Sequence, residues 1–301
     1  MVGFGMLTPV AILVVEQLPE HNTGALIQDV TEFIFDDAAI VSCLLRQWGV
    51  PTAMIGTAVG DDTRGHALAD ELEKRGVISQ VRFSKEFKTP LEVDVSDRLG
   101  ARTYFWQREA RVLDTLEQAD LSLLSGARML YVDWYDGDHI LRAMDEASRL
   151  GMSVFLNFEH GHADVNLLHK YASRAFICQA VTDAAQKDCS DPLQVADKLL
   201  DQGVQIALIT LASEGSLVVT RQQILRIQAP QVTAVDGCGA GATFSAGFIH
   251  GHLLGWDLES CARFATAAAS LKVTRAGLEM FPESDILAQA KEIQIDNIKR
   301  N

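Results

Sequence analysis

Short apolar runs alternate along most of this chain with longer segments of helical spacing. The runs at 10–15 and 52–57 are brief, apolar and bounded by polar or turn residues, so they read as buried strands. Residues 38–48 and 63–75 read as helices between and after them, with apolar positions recurring every three or four residues. Beyond residue 127 the order repeats, with apolar runs at 129–132, 154–157, 175–178 and 206–211 and helical periodicity between most of them. Strands of continuous apolar character, separated by helices, predict a mostly parallel sheet covered on both faces. Segment 80–107 departs from this pattern. Its runs VRFSKEF, LEVDVSD and RTYFWQ alternate partly and are parted by turn residues, which predicts a small antiparallel excursion from one 1–301 α/β domain.

The densest chemistry lies in Asp236-Gly-Cys-Gly-Ala-Gly-Ala-Thr-Phe-Ser-Ala-Gly-Phe248, after a strand-like run at 227–235 and at the start of a helix expected to reach about Leu254. Gly237, Gly239 and Gly241 remove side chains where a ligand would approach the backbone, and the N–H groups of the first helical turn then converge on one spot. Such a spot attracts anions. Glycines here also serve close helix packing, so the motif by itself leaves both readings open. Thr210-Leu-Ala-Ser-Glu-Gly215 follows one apolar strand, and a second small-residue segment runs from Ala265 to Gly277. Both suit neighbouring elements of one sheet, and together with the glycine turn they look like a nucleotide cleft.

Composition narrows the partners. A chain of 301 residues with 48% hydrophobic and 22% charged residues folds as an ordinary globule, and no repeat or linker divides it. Its 40 acidic against 26 basic residues give a net charge of -14, which argues against nucleic acid or an anionic membrane surface as partner. No Lys or Arg precedes Arg46 and the 10–15 run is too short to span a bilayer, so a cytoplasmic location is expected. Cys43, Cys178, Cys189, Cys238 and Cys261 form no C-x-x-C pair, so buried thiols are expected, without a disulfide framework or a metal site.

With these motifs in view, the chain resembles the PfkB (ribokinase-like) family of carbohydrate and nucleoside kinases over nearly its whole length. Asp236 to Phe244 resembles the family's Asp-Thr-x-Gly-Ala-Gly-Asp-x-Phe signature. Further matches are Gly49, Gly56, Gly60-Asp61-Asp62-Thr-Arg-Gly65, Leu72 and Gly76-Val77, then Thr210 to Gly215 and the Ala-rich helix ending at Gly277 near Pro282. The resemblance implies a doubly wound α/β fold with a small β lid, to which 80–107 contributes. It also implies ATP- and Mg²⁺-dependent phosphoryl transfer to a hydroxymethyl group of a sugar or nucleoside. By the same resemblance Gly239, Ala240 and Gly241 form the anion hole, Thr210, Ala212 and Gly215 lie along the nucleotide, and Ala268, Ala269 and Gly277 lie near its base.

The chain also departs from that family's pattern. Ala242 stands where the family has its catalytic carboxylate, and a methyl group accepts no proton. The Asn-x-x-Glu motif aligns with Gln179-Ala-Val-Thr182, the first-strand Asp with Val10, the Gly-Gly pair with Phe35-Asp36, and the sugar-binding Asn with Ile40. Impaired transfer is therefore expected, and the rival reading is an inactive relative that binds a nucleotide or small ligand or acts through protein contacts. Asp36 and Asp37 are candidates either for helix capping or for a rebuilt substrate contact. Trp106 and Arg108 are candidates for stacking on and pairing with substrate, or for lid surface and a dimer contact through the lid. Asp236 is expected to fix the glycine turn, Cys238 to pack, and Glu159-His-Gly-His162 with Asp164 to form a solvated loop.

Overall fold

The computed structural model describes residues 1–98, 101–182, 190–278 and 281–300, with the backbone alone at 33–35. Cys189 lies outside the described residues. The central sheet has ten strands in the order Ile295–Lys299, Gln223–Ile227, Ser216–Val219, Ile206–Thr210, Ile177–Val181, Ser153–Glu159, Met129–Asp133, Val2–Gly5, Ala53–Gly56 and Ile78–Ser79. Strand pairs from Ile206–Thr210 to Ile78–Ser79 are parallel, and the three strands beyond Ile206–Thr210 add on antiparallel. Met129–Asp133 and Ala53–Gly56 are buried at every position because helices cover both faces.

Side-chain alternation assigns successive residues of one strand to two different cores. Tyr131 and Phe155 join the core beneath helices Asp37–Gln47, Ala240–Leu254 and Leu258–Lys272. Leu130, Val132, Val154 and Leu156 join the opposite one, beneath Leu141–Arg149, Val165–Tyr171 and Pro192–Asp201. This is a doubly wound α/β fold.

Four strands form the lid, in the order Ile27–Phe35, Thr8–Val15, Leu91–Ser96 and Arg102–Gln107. The lid corrects one expectation: the 10–15 run belongs to it and not to the central sheet, whose first strand is Val2–Gly5. That strand is short and half glycine, with too little periodicity to be read. A second correction concerns 227–235, where the strand ends at Ile227. The amides of Val235 and Asp236 instead donate to the Val273 carbonyl at the end of Leu258–Lys272.

The Gly60 to Gly65 motif has a packing role at the lid's root. A Cβ on Gly65 would stand 2.2 Å from the Gly60 carbonyl oxygen, and Asp62 caps helix Thr63–Lys74 while accepting from Thr89 N (2.9 Å) and Oγ1 (2.7 Å), just before a lid strand.

Candidate active site

The glycine turn sits between the carboxyl edge of the sheet and the inner face of the lid. Gly239 takes the left-handed conformation (φ 72°) as the cap of Ala240–Leu254, a geometry that favours glycine. Asp236, fully buried, holds the turn from inside. It accepts from Ser96 Oγ (2.8 Å), Cys238 N (2.9 Å), Gly277 N (3.1 Å) and Lys272 Nζ (2.7 Å). Of the three residues expected to form an anion hole, Ala240 uses its N–H on the Gly237 carbonyl at 3.2 Å. The N–H groups of Gly239, Gly241 and Ala242 find no acceptor among the described residues, so Ala242 takes the place of Ala240 among the unpaired amides. An anion is the natural complement of converging amides at a helix start.

Ala242 is itself buried, its methyl packed in the core. Gln179 supports the turn, donating to the Gly241 carbonyl at 3.3 Å and accepting from Ser245 Oγ at 2.8 Å. Thr182 is buried, and its hydroxyl has no partner among the described residues. Neither residue supplies a carboxylate, so this stretch does not fit the charge that Mg²⁺ seeks. The glycine turn therefore suits an anion, whereas the 179–182 stretch does not suit a metal ion.

Next to the turn lies a group of carboxyls assembled from separate strand and helix ends. Asn157, fully buried, points its Nδ2 at Asp133 Oδ2 (2.7 Å), Glu159 Oε1 (3.0 Å) and Asp37 Oδ2 (3.1 Å). Glu159 holds a left-handed backbone (φ 47°) at a register shift of its strand, a strained state that turns its side chain into this group. Burial and the neighbouring charges of Asp36 and Glu159 push Asp37 up to about 8. Burial first, then Asp37, drives Asp133 well above the usual carboxylate range; burial and Asp36 do the same to Asp136. Asp36 caps helix Asp37–Gln47, accepting from Asp37 N at 2.8 Å, and is also raised by burial.

The lid closes over both features. Asp94 and Arg102, paired at 3.5 Å, reach the Cys238 sulfur, whose thiol burial pushes well above its ordinary range. Cys238 thus packs, as expected. Tyr104 and Trp106 share the face of Arg102 in their strand and stack with ring centroids 5.5 Å apart, with Tyr104 half exposed and Trp106 61% exposed. Arg108 reaches the Met6 sulfur at 3.0 Å and acts electrostatically on Asp36 and Asp136.

Asp36, Asp37 and Arg108 are therefore brought together, and Trp106 lies on the lid above them. Thr210, Ala212 and Gly215 form a turn at the carboxyl edge, with Ala212 at φ 50° and Gly215 at φ 104°. Ala268 is buried in the core and Ala269 packs against it half-buried, so Ala268 offers no open surface. Gly277 is tied to Asp236 and lies beneath the lid, where a Cβ would stand 2.3 Å from Thr31 Cγ2. Val10 and Ile40 are both buried in the same core. The loop reading of 159–164 needs correction at two residues: Glu159 joins the carboxyl group, and His162 is buried with Nε2 2.9 Å from the Val181 carbonyl.

Sequence reasoning missed Asp133, Asp136, Asn157, Asp94, Arg102 and Lys272. A usable signal existed for Asp133 and Asn157, which close the apolar runs of adjacent parallel strands, where ligands of open α/β sheets gather.

A doubly wound sheet with a β lid over a glycine turn defines a class, the ribokinase-like fold. Residues 37–284 match the pfkB family carbohydrate kinase, and the chain belongs to that family. It is 27% identical over 279 residues to a nucleoside kinase of Methanothermobacter thermautotrophicus, covering 89% of this chain and 87% of that protein. Among solved structures, the ribokinase of Thermotoga maritima superposes with a TM-score of 0.76 at 18% identity, covering 97% of this chain and 99% of that one. The Arabidopsis thaliana ribokinase complexed with ribose and ATP gives 0.73 at 20% identity, covering 96% and 98%. No helix among the described residues is long and apolar enough to cross a membrane.

Proposed function

We propose that this chain binds a nucleoside triphosphate at the glycine turn and a small sugar- or nucleoside-like acceptor between lid and sheet, and that it transfers phosphate slowly. The observation that carries the reading is the trio of unpaired amides at Gly239, Gly241 and Ala242, next to a carboxyl-lined cleft. Preorganised donors of this kind stabilise the charge of a transferring phosphoryl group. The acceptor class follows the nucleoside kinase and ribokinase relatives.

The weak point is the proton. With a methyl at position 242, the acceptor hydroxyl has no partner in the first helical turn. Asp37, pushed up to about 8, has a proton affinity matched to neutral pH and is the candidate to take over as general base. Gln179 and Thr182 offer no carboxylate to hold a metal ion, so the reading assigns charge stabilisation to the turn amides alone. A second reading, an inactive ligand-binding relative, is favoured by the burial of Ala242 and the internal use of Gln179.

Coupled ADP release with a sugar and nucleoside panel separates the two. Ala242→Asp is expected to raise turnover about 10²- to 10⁴-fold, the usual contribution of a positioned base. No rise, with nucleotide-dependent thermal stabilisation intact, supports the binding protein. Absence of nucleotide stabilisation refutes the transfer reading, and absence of stabilisation by any member of the panel refutes the ligand-binding reading as well.

A further inference from the structure

The cleft under the lid is short of hydrogen-bond donors. Asp37, Asp133 and Glu159 converge on one nitrogen, Asn157 Nδ2, whose two hydrogens cannot serve three carboxyl oxygens, so Asp37 and Asp133 keep protons that a bound cation would displace. The other end of that amide, the buried Asn157 Oδ1, has no donor among the described residues, and neither has the buried Asp136 Oδ1. Orphaned buried acceptors are costly and call for a partner. The cations nearby are already engaged, Arg102 with Asp94, Cys238 and more weakly Asp37, and Arg108 on the Met6, Asp36 and Asp136 side. Tyr135, 54% exposed, sits in the field of Glu159 and Asp133 and is joined there by Tyr104 of the lid.

A neutral sugar hydroxyl brings two lone pairs with its one hydrogen, so it relieves this imbalance only in part. A phosphate or carboxylate group would be repelled. An ammonium is donor-only, with three N–H groups and a full charge, and aromatic faces attract it as well. A bare metal ion fits less well. Among the described residues, the three-ligand set with donor atoms close enough for one ion is Asp114, Glu117 and His139, away from this cleft.

We infer that the acceptor carries an organic cation, a protonated amine, held by Asp37, Asp133 and Glu159 beneath Tyr135 and Tyr104. The inference rests on the small-molecule reading above and names the class of the ligand, an amino sugar or an aminated nucleoside.

Binding by calorimetry at pH 7 without nucleotide tests it, using pairs that differ in one group: D-glucosamine against D-glucose, and 3′-amino-3′-deoxyadenosine against adenosine. The amino member of at least one pair is expected to bind about tenfold tighter or more, as charge-assisted bonds require. That preference should collapse in Glu159→Gln and in Asp133→Asn, with circular dichroism confirming that each variant folds. Equal binding within both pairs, no binding by any member, or a preference that survives both substitutions overturns the inference. So does stabilisation by MgCl₂ alone that Glu159→Gln removes, without amine preference. ADP release is read separately: amine preference without turnover leaves this inference standing and removes the transfer reading, whereas turnover of neutral acceptors without amine preference does the reverse.

Discussion

Replacing Lys272 by Met puts the architecture of the glycine turn to a quantitative test. Lys272 and Asp236 are both almost fully buried, and the ammonium donates to Asp236 Oδ2 (2.7 Å), the Asp236 carbonyl (3.1 Å) and the Arg275 carbonyl (3.4 Å). Methionine keeps most of the volume but leaves the carboxylate with neutral donors alone, from Ser96, Cys238 and Gly277. Breaking a buried pair by removing one partner costs about 3–5 kcal/mol. An unfolding entropy of about 2.1 cal/mol/K per residue amounts to about 0.6 kcal/mol/K for this chain, so Tm should fall by about 5–8 °C. Differential scanning calorimetry reads this directly.

Asp236→Asn alone should cost a similar amount, because it strands the ammonium instead. The double variant should cost less than the sum by about 2 kcal/mol or more, the signature of direct coupling. Additive costs, or a fall below about 1.5 °C in Lys272→Met, would refute the claim that this pair holds the turn. A structural corollary concerns the nucleotide. The same ammonium ties the turn to the 273–277 loop, so ATP should stabilise Lys272→Met less than it stabilises the parent.

Two further outcomes follow from the geometry. Asp37 and Glu92 are both pushed up to about 8, mainly by burial, from ordinary values of 3.8 and 4.5; between about pH 4 and pH 8 the folded protein therefore holds protons that the unfolded chain releases. Stability should fall as pH rises through that window and level off above it, and Asp37→Asn should flatten the Tm profile measured from pH 5 to pH 9. Gly215→Ala should abolish soluble expression or lower Tm by more than 5 °C, since φ is 104° there and the added Cβ would lie 2.0 Å from the Ile227 carbonyl oxygen; a variant with unchanged Tm would contradict the backbone path of this turn.

What the sequence made legible follows the range of the interactions involved. The strands at 129–132 and 206–211 were readable because parallel strands buried on both faces are continuous apolar runs. The glycine turn was readable because its conformational demand falls on consecutive residues, with Gly239 at φ 72°. Val2–Gly5 was not readable, since its assignment to the sheet depends on pairing with Met129–Asp133 and Ala53–Gly56, far along the chain. The carboxyl group was unreadable for the same reason: Asp37, Asp133, Asn157 and Glu159 come from one helix start and two strand ends.

The chain's departures from the family pattern fall on both sides of this frame, at Ala242, Gln179 and Thr182 by the turn and at Val10 and Ile40 under the lid. The turn keeps its donors, with Gly239 and Gly241 intact and Asp236 clamped by four hydrogen-bonding groups. Under the lid, Val10 and Ile40 are buried in the core, and carboxyls face the space there. Buried like charges destabilise a fold unless a ligand or protons compensate them, so the assembly of these carboxyls beside the unpaired amides of the turn is what the proposed anion and cation sites would together account for.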